Sequence, residues 1–269
     1  MDLSTGDIEY KGNLQVNGNV SSNFKIHVDG NVEVRGVVEG AEIVAEGNIT
    51  IARGVNGMGK GYLKAGGNII AKFIENGTVE ARGYVQSDSI LHSHIMAGTE
   101  IRVDGKRGFI TGGHVCATNL IEVKVLGSEL GANTTVEIGV PPEVKQRYEY
   151  LKEELEKCNK TINSAKPILE NAKKRIHSGK KLSPDQVKHV QELSNVVTRT
   201  QKNIEIIMKE LTQLEELVSI DSDAQIVVKG QAYPGTKLVI GDVSKLIKTP
   251  VQYCRFIKQK GDVTMVGMN

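Results

Sequence analysis

The sequence predicts a mainly β protein: a single-stranded parallel β-helix, or β-solenoid, carrying an inserted antiparallel helical coiled-coil hairpin. Three observations predict it. A nine-residue strand–turn–strand pattern returns along most of the chain. A Gly-Asn turn recurs at one fixed point of that pattern. At Pro141-Pro142 the apolar period switches from that of a strand to that of a helix. A right-handed coil is the expected hand. The division that follows is 1–140 for the first coils, 141–218 for the hairpin, and 219–269 for a return to the β-helix, a final coil and a C-terminal cap.

The pattern is plainest in Ile26-His-Val-Asp-Gly-Asn-Val-Glu-Val34. Copies begin at Ile8, Ile26, Ile43, Leu63, Val79, Ile95 and Val115, in steps of 18, 17, 20, 16, 16 and 20 residues. An eighth copy begins at Ile226. A unit this short cannot bury its apolar face alone, but stacked copies bury one another. In the first copy Ile8, Tyr10, Leu14 and Val16 alternate with Glu9, Lys11 and Gln15, so apolar and charged residues take opposite faces. Gly12-Asn13 supplies a turn that tolerates positive φ, and it recurs at Gly30-Asn31, Gly47-Asn48 and Gly67-Asn68. Segments 36–40 and 83–87 predict further short strands and corners. Seven stacked rungs would span about 34 Å at the usual strand spacing.

Between Pro142 and Gly179 the apolar residues Val144, Tyr148, Leu151, Leu155, Cys158, Ile162, Ala165, Leu169, Ala172 and Ile176 alternate steps of four and three, a heptad seam. Gly179 is a helix stop. Ser183, Pro184 and Gln186 give an N-cap, a first-turn proline and a capping box. A second seam runs Val190, Leu193, Val197, Thr200, Ile204, Ile207, Leu211, Leu214 and Val218. The seams mirror each other about the turn, so Val144 should face Val218 and Leu155 should face Ile207. Each arm of about 36 residues would run roughly 54 Å, with a kink at Pro167. Such a hairpin returns the chain to its starting point and leaves the solenoid undisturbed as a protruding arm. Ile226 then resumes the pattern, Tyr233 to Gly241 adds a corner and strand, and a hairpin over Val251–Ile257 and Val263–Val266 caps the stack.

The chemistry-bearing residues are few. Lys and Arg number 34 against 32 Asp and Glu, a balance that argues for neither nucleic acid nor an anionic membrane. Aromatics make up 4% and Trp is absent, leaving little surface on which bases or sugars could stack. The cysteines Cys116, Cys158 and Cys254 have no metal or redox spacing and suit a reducing cytosol. No apolar run approaches membrane-spanning length, and the N-terminus has no signal-peptide core. Gly54-Val-Asn-Gly-Met-Gly-Lys-Gly61 satisfies most of a phosphate-binding loop. Gly61 replaces the Mg²⁺-holding Ser or Thr, and a strand pattern replaces the helix, so a glycine-rich corner is expected. His94 and His114 should stand on adjacent rungs facing outward, with His92 on the face of His94 and His27 alone in its strand. No carboxylate at ligand spacing accompanies them, and a solvent-facing polar ladder is expected. Cys116 points outward with nothing basic beside it and is assigned no reactivity. Glu33, Arg35, Glu80, Arg82, Arg102, Asp104, Glu122 and Lys124 mix both signs, as on a solvated face that pairs between rungs. No catalytic, cofactor-binding or metal-ligating residue is assigned, and the chain is not expected to be an enzyme.

These features together resemble the flagellar assembly protein A family. The resemblance rests on Arg35-Gly-Val-Val-Glu-Gly40, Gly57-Met-Gly-Lys-Gly61, Ala71-Lys-Phe-Ile-Glu-Asn76, Ser89-Ile-Leu-His-Ser93, Gly112-Gly113, Val125-Leu-Gly-Ser128, Glu137-Ile-Gly-Val140 and Tyr233-Pro-Gly235. It covers nearly the whole chain. Family members are longer, with an N-terminal domain, so this chain is expected to be a C-terminal fragment. The resemblance implies a bacterial cytoplasmic protein, a β-solenoid with a coiled-coil arm, and a link to flagellar assembly. The function expected is a non-enzymatic scaffold whose arm binds protein partners, with no nucleic-acid partner, no membrane insertion, and self-association left open. The alternative is a bactofilin-like filament built end to end. A hexapeptide-repeat acyltransferase with His94 or His114 as base fits least, because its coils step strictly by six.

Overall fold

The computed structural model describes residues 6–140, 142–179, 182–219 and 224–268. The chain forms two compact units: Met1–Val140 with Ile220–Asn269, and Pro141–Ser219.

In the first unit the strands follow chain order. They are β1 (Ile8–Tyr10), β2 (Leu14–Val16), β3 (Lys25–Val28), β4 (Val32–Val34), β5 (Val37–Glu39), β6 (Glu42–Ala45) and β7 (Ile49–Ile51). Longer strands follow: β8 (Gly54–Ala65), β9 (Ile69–Ala81), β10 (Val85–Ala97), β11 (Glu100–Val103), β12 (Phe109–Ala117), β13 (Leu120–Leu126) and β14 (Thr134–Ile138). After the helices come β15 (Gln225–Ala232), β16 (Thr236–Ile240), β17 (Val243–Leu246), β18 (Val251–Gln259) and β19 (Asp262–Gly267).

These strands make three parallel ladders around one core. The first stacks Ile8, Ile26, Ile43, Leu63, Val79, Ile95, Val115, Val136 and Leu238 in register. The second stacks Leu14, Val32, Ile49, Ile69, Val85, Ile101, Ile121 and Ile226. The third stacks Val20, Val38, Val55, Ile74, Ile90, Ile110, Leu126 and Ala232. From Val20 onward the third row is fully buried, and so are the first from Ile26 and the second from Val32. β-branched residues dominate because their stiff side chains fill a pleated, closely spaced stack. The seven early copies of the nine-residue pattern thus join the first and second ladders, as their spacing predicts. The copy at Ile226 does not continue their phase. It pairs with Ile121 and belongs to the second ladder, while Val136 and Leu238 extend the first. The first half of that last repeat lies before the helices, so the chain leaves and re-enters at the corner between ladders.

Each corner has its own chemistry. Between the third and first ladders the chain passes through the left-handed region at Asn23 (φ 70°), Gly40 (48°), Met58 (52°), Asn76 (51°), His92 (46°) and Gly112 (69°). Between the first and second ladders runs an asparagine ladder. Asn13 Oδ1 accepts from the Asn31 amide at 2.8 Å, Asn31 Oδ1 from Asn48 at 2.7 Å, Asn48 Oδ1 from Asn68 at 2.7 Å, and Asn68 Oδ1 from Tyr84 at 3.0 Å. The glycines here answer to space more than to φ. Of the four Gly-Asn glycines only Gly12 has positive φ. A Cβ on Gly47 would lie 2.4 Å from Asn31 Oδ1, and one on Gly67 would lie 2.3 Å from Asn48 Oδ1. This gives a coupled prediction. Asn48→Ala should cost about 1 kcal/mol by stranding the Asn68 amide. Gly67→Ala should cost more alone than in the Asn48→Ala background, where the obstructing oxygen is gone. Denaturant midpoints of the two single variants and the double variant measure that coupling.

The stack ends in antiparallel strands. β18 pairs with β15, β17 with β16, and β19 with β18. The hairpin expected over Val251–Ile257 and Val263–Val266 is therefore present.

The second unit holds α1 (Pro142–His177) and α2 (Pro184–Ser219), packed as a helical hairpin. α1 continues through Pro167 without a break. Gly179, at φ 75°, stands just past its end and donates to the Ile176 carbonyl at 3.1 Å. At the start of α2 the Ser183 amide donates to Gln186 Oε1 at 3.1 Å, and the Gln186 amide donates to Ser183 Oγ at 3.3 Å, the reciprocal cap expected. Tyr148, Leu151, Ala165, Ala172 and Ile207 are buried, and most other seam residues are half-buried. Ile176 departs from its assigned seam position and is 57% exposed. It would face Gln186, so no apolar partner remains for it that close to the turn. Arg147 bridges the helices by donating to both carboxylate oxygens of Glu210 at 2.8 and 3.0 Å. The pair Val144–Val218 includes a side chain outside the described residues.

Candidate interaction surfaces

The outward side chains of the first ladder line one face of the stack. His94 and His114 sit on adjacent rungs in register, as expected, with Thr78 on the rung before and Thr135 on the rung after. His92 does not share that face. Its left-handed backbone puts it on the corner, where its ring occupies the space above Gly112, 2.2 Å from where a Cβ would stand. The three imidazoles therefore do not converge. Among the described residues no three His, Cys, Asp or Glu side chains are placed to hold a metal.

Two histidines do find carboxylates. His27 Nε2 lies 3.1 Å from Glu42 Oε1, and His114 Nε2 lies 3.0 Å from Glu137 Oε2. Both partners come from the next rung, 15 and 23 residues away in sequence. Reading by sequence spacing left His27 alone and found no carboxylate near His114. Only register reveals both pairs. The His27 hydrogen bond, helped by Lys25, holds the Glu42 carboxyl below its ordinary range. Burial, reinforced by Glu80, pushes the Tyr62 phenol up. Other charges also pair between rungs, as Lys229 does with Glu122 at 2.6 Å and Lys64 with Glu80 at 3.7 Å. Arg102 instead pairs within its own strand with Glu100, and Arg35, just past the end of β4, pairs with Glu33.

The segment that resembles a phosphate loop lies within β8 and forms a corner. Its glycines are explained by the rungs around it. A Cβ on Gly54 would lie 2.4 Å from the Phe73 ring, and one on Gly57 would lie 2.3 Å from the Asn76 carbonyl. Lys60 Nζ, the would-be phosphate ligand, donates to Asn23 Oδ1 at 2.7 Å.

Cys116 points outward beside Glu137, its partner across the rung. Burial, with the Glu137 charge adding to it, pushes its thiol up to about 11. Burial also raises Cys254. A raised thiol stays neutral, and the neutral thiol is a poor nucleophile. At pH 8 a disulfide reagent should therefore label at most one of the three cysteines, Cys158, until denaturant exposes the others. A time course of thiol release checks this.

The hairpin presents a different surface. Lys166, Lys173, Lys174, Arg175 and Lys188 are all exposed in the half of the hairpin nearer its turn. A groove of about 390 Å³ opens between the helices, lined by Pro167, Ile168, Ala172, Leu182 and Val190 together with Asn171, Arg175, Gln186 and His189. No helix among the described residues is long and apolar enough to cross a membrane.

No curated protein and no solved structure matches the chain. The family model for the flagellar assembly protein A beta solenoid domain does, over residues 1–263. Nearly every coil described above falls within that match, and with it the helical hairpin. The chain therefore belongs to the flagellar assembly protein A β-solenoid family.

Proposed function

We propose that the protein is a non-enzymatic scaffold in flagellar assembly, acting in the cytoplasm, with the solenoid as a rigid body and the hairpin as a coiled-coil arm that binds protein partners. The observation that carries this reading is the insertion itself. Two helices of 36 residues each leave the stack at one corner, and the three ladders close in register on both sides of them. The stack does not need them for its hydrogen bonds, so their length calls for another use. The solenoid faces support a structural role, because their glycines, asparagines and histidine–carboxylate pairs are engaged in holding rung to rung.

The test is affinity capture from the native cell, using the chain with residues 143–217 intact and with them replaced by a short flexible linker. The expected result is that partners are lost with the hairpin. A hairpin-free chain that folds and keeps every partner would overturn the role of the arm. Sedimentation at rising concentration separates this reading from the filament alternative, since a scaffold keeps a fixed mass and a filament grows.

A further inference from the structure

We infer that the distal end of the hairpin is a docking site for an acidic protein segment that carries aliphatic side chains. The inference rests on the arm being the partner-binding part and specifies what the arm recognises.

Charge is the first ground. Residues 160–190 contain eight Lys and Arg against two Asp and Glu, while the whole chain has a formal net charge of only +2. The positive charge of the molecule is thus concentrated in one stretch of 31 residues, and the rest of the chain is net acidic. Helix stabilisation explains part of this. Lys174, Arg175 and His177 lie in the last turn of α1, where cations favour the helix dipole. It does not explain Lys160, Lys166 and Lys173 further back, nor Lys188 near the N-terminal end of α2. Apart from Lys160, which pairs with Glu156 at 3.8 Å, these cations are not neutralised. Among the described residues no carboxylate lies within ion-pair distance of Lys166, Lys173, Lys174, Arg175 or Lys188, whereas the stem of the hairpin carries Arg147–Glu210, Lys152–Glu149, Lys157–Glu154 and Lys160–Glu156.

The groove is the second ground. Pro167, Ile168, Ala172, Leu182 and Val190 give it an aliphatic majority beside four polar or charged side chains, and Ile168 is 45% exposed. A volume of about 390 Å³ admits a few aliphatic side chains but not a folded domain. A mostly aliphatic groove that includes Arg175, on helices that expose further unpaired lysines, complements a short segment with alternate aliphatic and acidic residues. Two other anionic surfaces fit less well. Residues 160–190 contain no Phe, Tyr or Trp, which leaves no interfacial anchor for a bilayer and no platform for stacked bases.

The experiment is a peptide selection. Random peptides displayed on phage are panned against the intact chain at physiological ionic strength. The enriched peptides are expected to be rich in Asp and Glu and to carry Leu, Ile or Val. The best of them, made synthetically, is titrated against the parent, a Lys173→Glu/Arg175→Glu variant and an Ile168→Ser variant. Circular dichroism confirms that the helices persist. Where it shows lost helix, Lys173→Gln/Arg175→Gln takes the place of the reversal. Binding should weaken about tenfold or more in each variant, because charge and groove act together. An enriched set without acidic excess, or a peptide that binds the variants as well as the parent, overturns the proposal. A short DNA duplex and phosphatidylserine vesicles are titrated in parallel, and tip-dependent binding of either without any selected peptide also overturns it. Partner capture with the charge-reversed chain separates the two levels. Partners lost on hairpin deletion but kept on charge reversal sink the docking site and leave the scaffold standing. A peptide that binds the tip while hairpin deletion loses no partner does the opposite.

Discussion

Replacing Gly113 with alanine is expected to destabilise the solenoid by about 3 kcal/mol or more, enough to abolish folding in a marginal background. Two costs add. Gly113 has φ 83°, where an L side chain is strained by about 1–2 kcal/mol. Its Cβ would also stand 2.2 Å from the Ser93 carbonyl oxygen and 2.7 Å from the Ser93 amide. Those atoms belong to the neighbouring rung and are held in its hydrogen bonds, so they cannot retreat. Ser93 is fully buried, and its hydroxyl is already committed to the Leu91 carbonyl at 2.8 Å. Gly235 supplies the control, with the same φ of 83° but nothing within 4 Å of its would-be Cβ. Gly235→Ala should show the backbone cost alone. The difference between the two denaturant midpoints measures the clash, and equal midpoints would show that the rungs yield.

Ile43→Ala is the second large effect. Ile43 is fully buried, between Ile26 and Leu63 on the neighbouring rungs. Truncating such a residue costs about 2–5 kcal/mol, the spread reflecting how far the cavity collapses. In a solenoid each rung touches only its neighbours, so the loss falls on two interfaces. Unfolding is therefore expected to broaden as well as shift, with the coils before Ile43 separating from those after it. Val44→Ala, on the outer face of the same strand, should leave the transition nearly unmoved. A cooperative curve that shifts without broadening would mean that the coils unfold together despite the gap.

How far the fold can be read from the chain depends on where the signal resides. The inward alternation is local, so Ile26, Ile43, Leu63 and their successors could be aligned by eye, and register bore them out. The heptads and the Ser183–Gln186 cap are local as well. The phase of the copy at Ile226 is not local. Alternating apolar residues fit either the first ladder or the second, and only the pairing with Ile121 decides. The same holds for His27 with Glu42 and His114 with Glu137, which meet because a coil happens to take one full turn between them. Gly47 and Gly67 were read as turn residues and proved to be clearance for an asparagine amide one rung away. The left-handed corner at Met58 carries no sequence signal, since that side chain does not favour the conformation, and the one at His92 carries only the enrichment of histidine there. At the hairpin tip the charges were in plain view, but a balanced total hid their concentration.

The insertion point also bears on the order in which the molecule is made. Early rungs close over intervals of 16–20 residues, whereas 86 residues separate Ile138 from Gln225. Joining two ends across so long a flexible tether would cost about 1.4 kcal/mol more than closing one of those intervals. Helices that zip up beforehand remove most of that penalty by bringing the ends of the segment together. During synthesis, then, the coils up to Ile138 can pair with the ones before them as they emerge, and the last ones must wait for the paired helices to deliver the chain back. A slow, late step confined to residues after 224 is the kinetic signature of that arrangement.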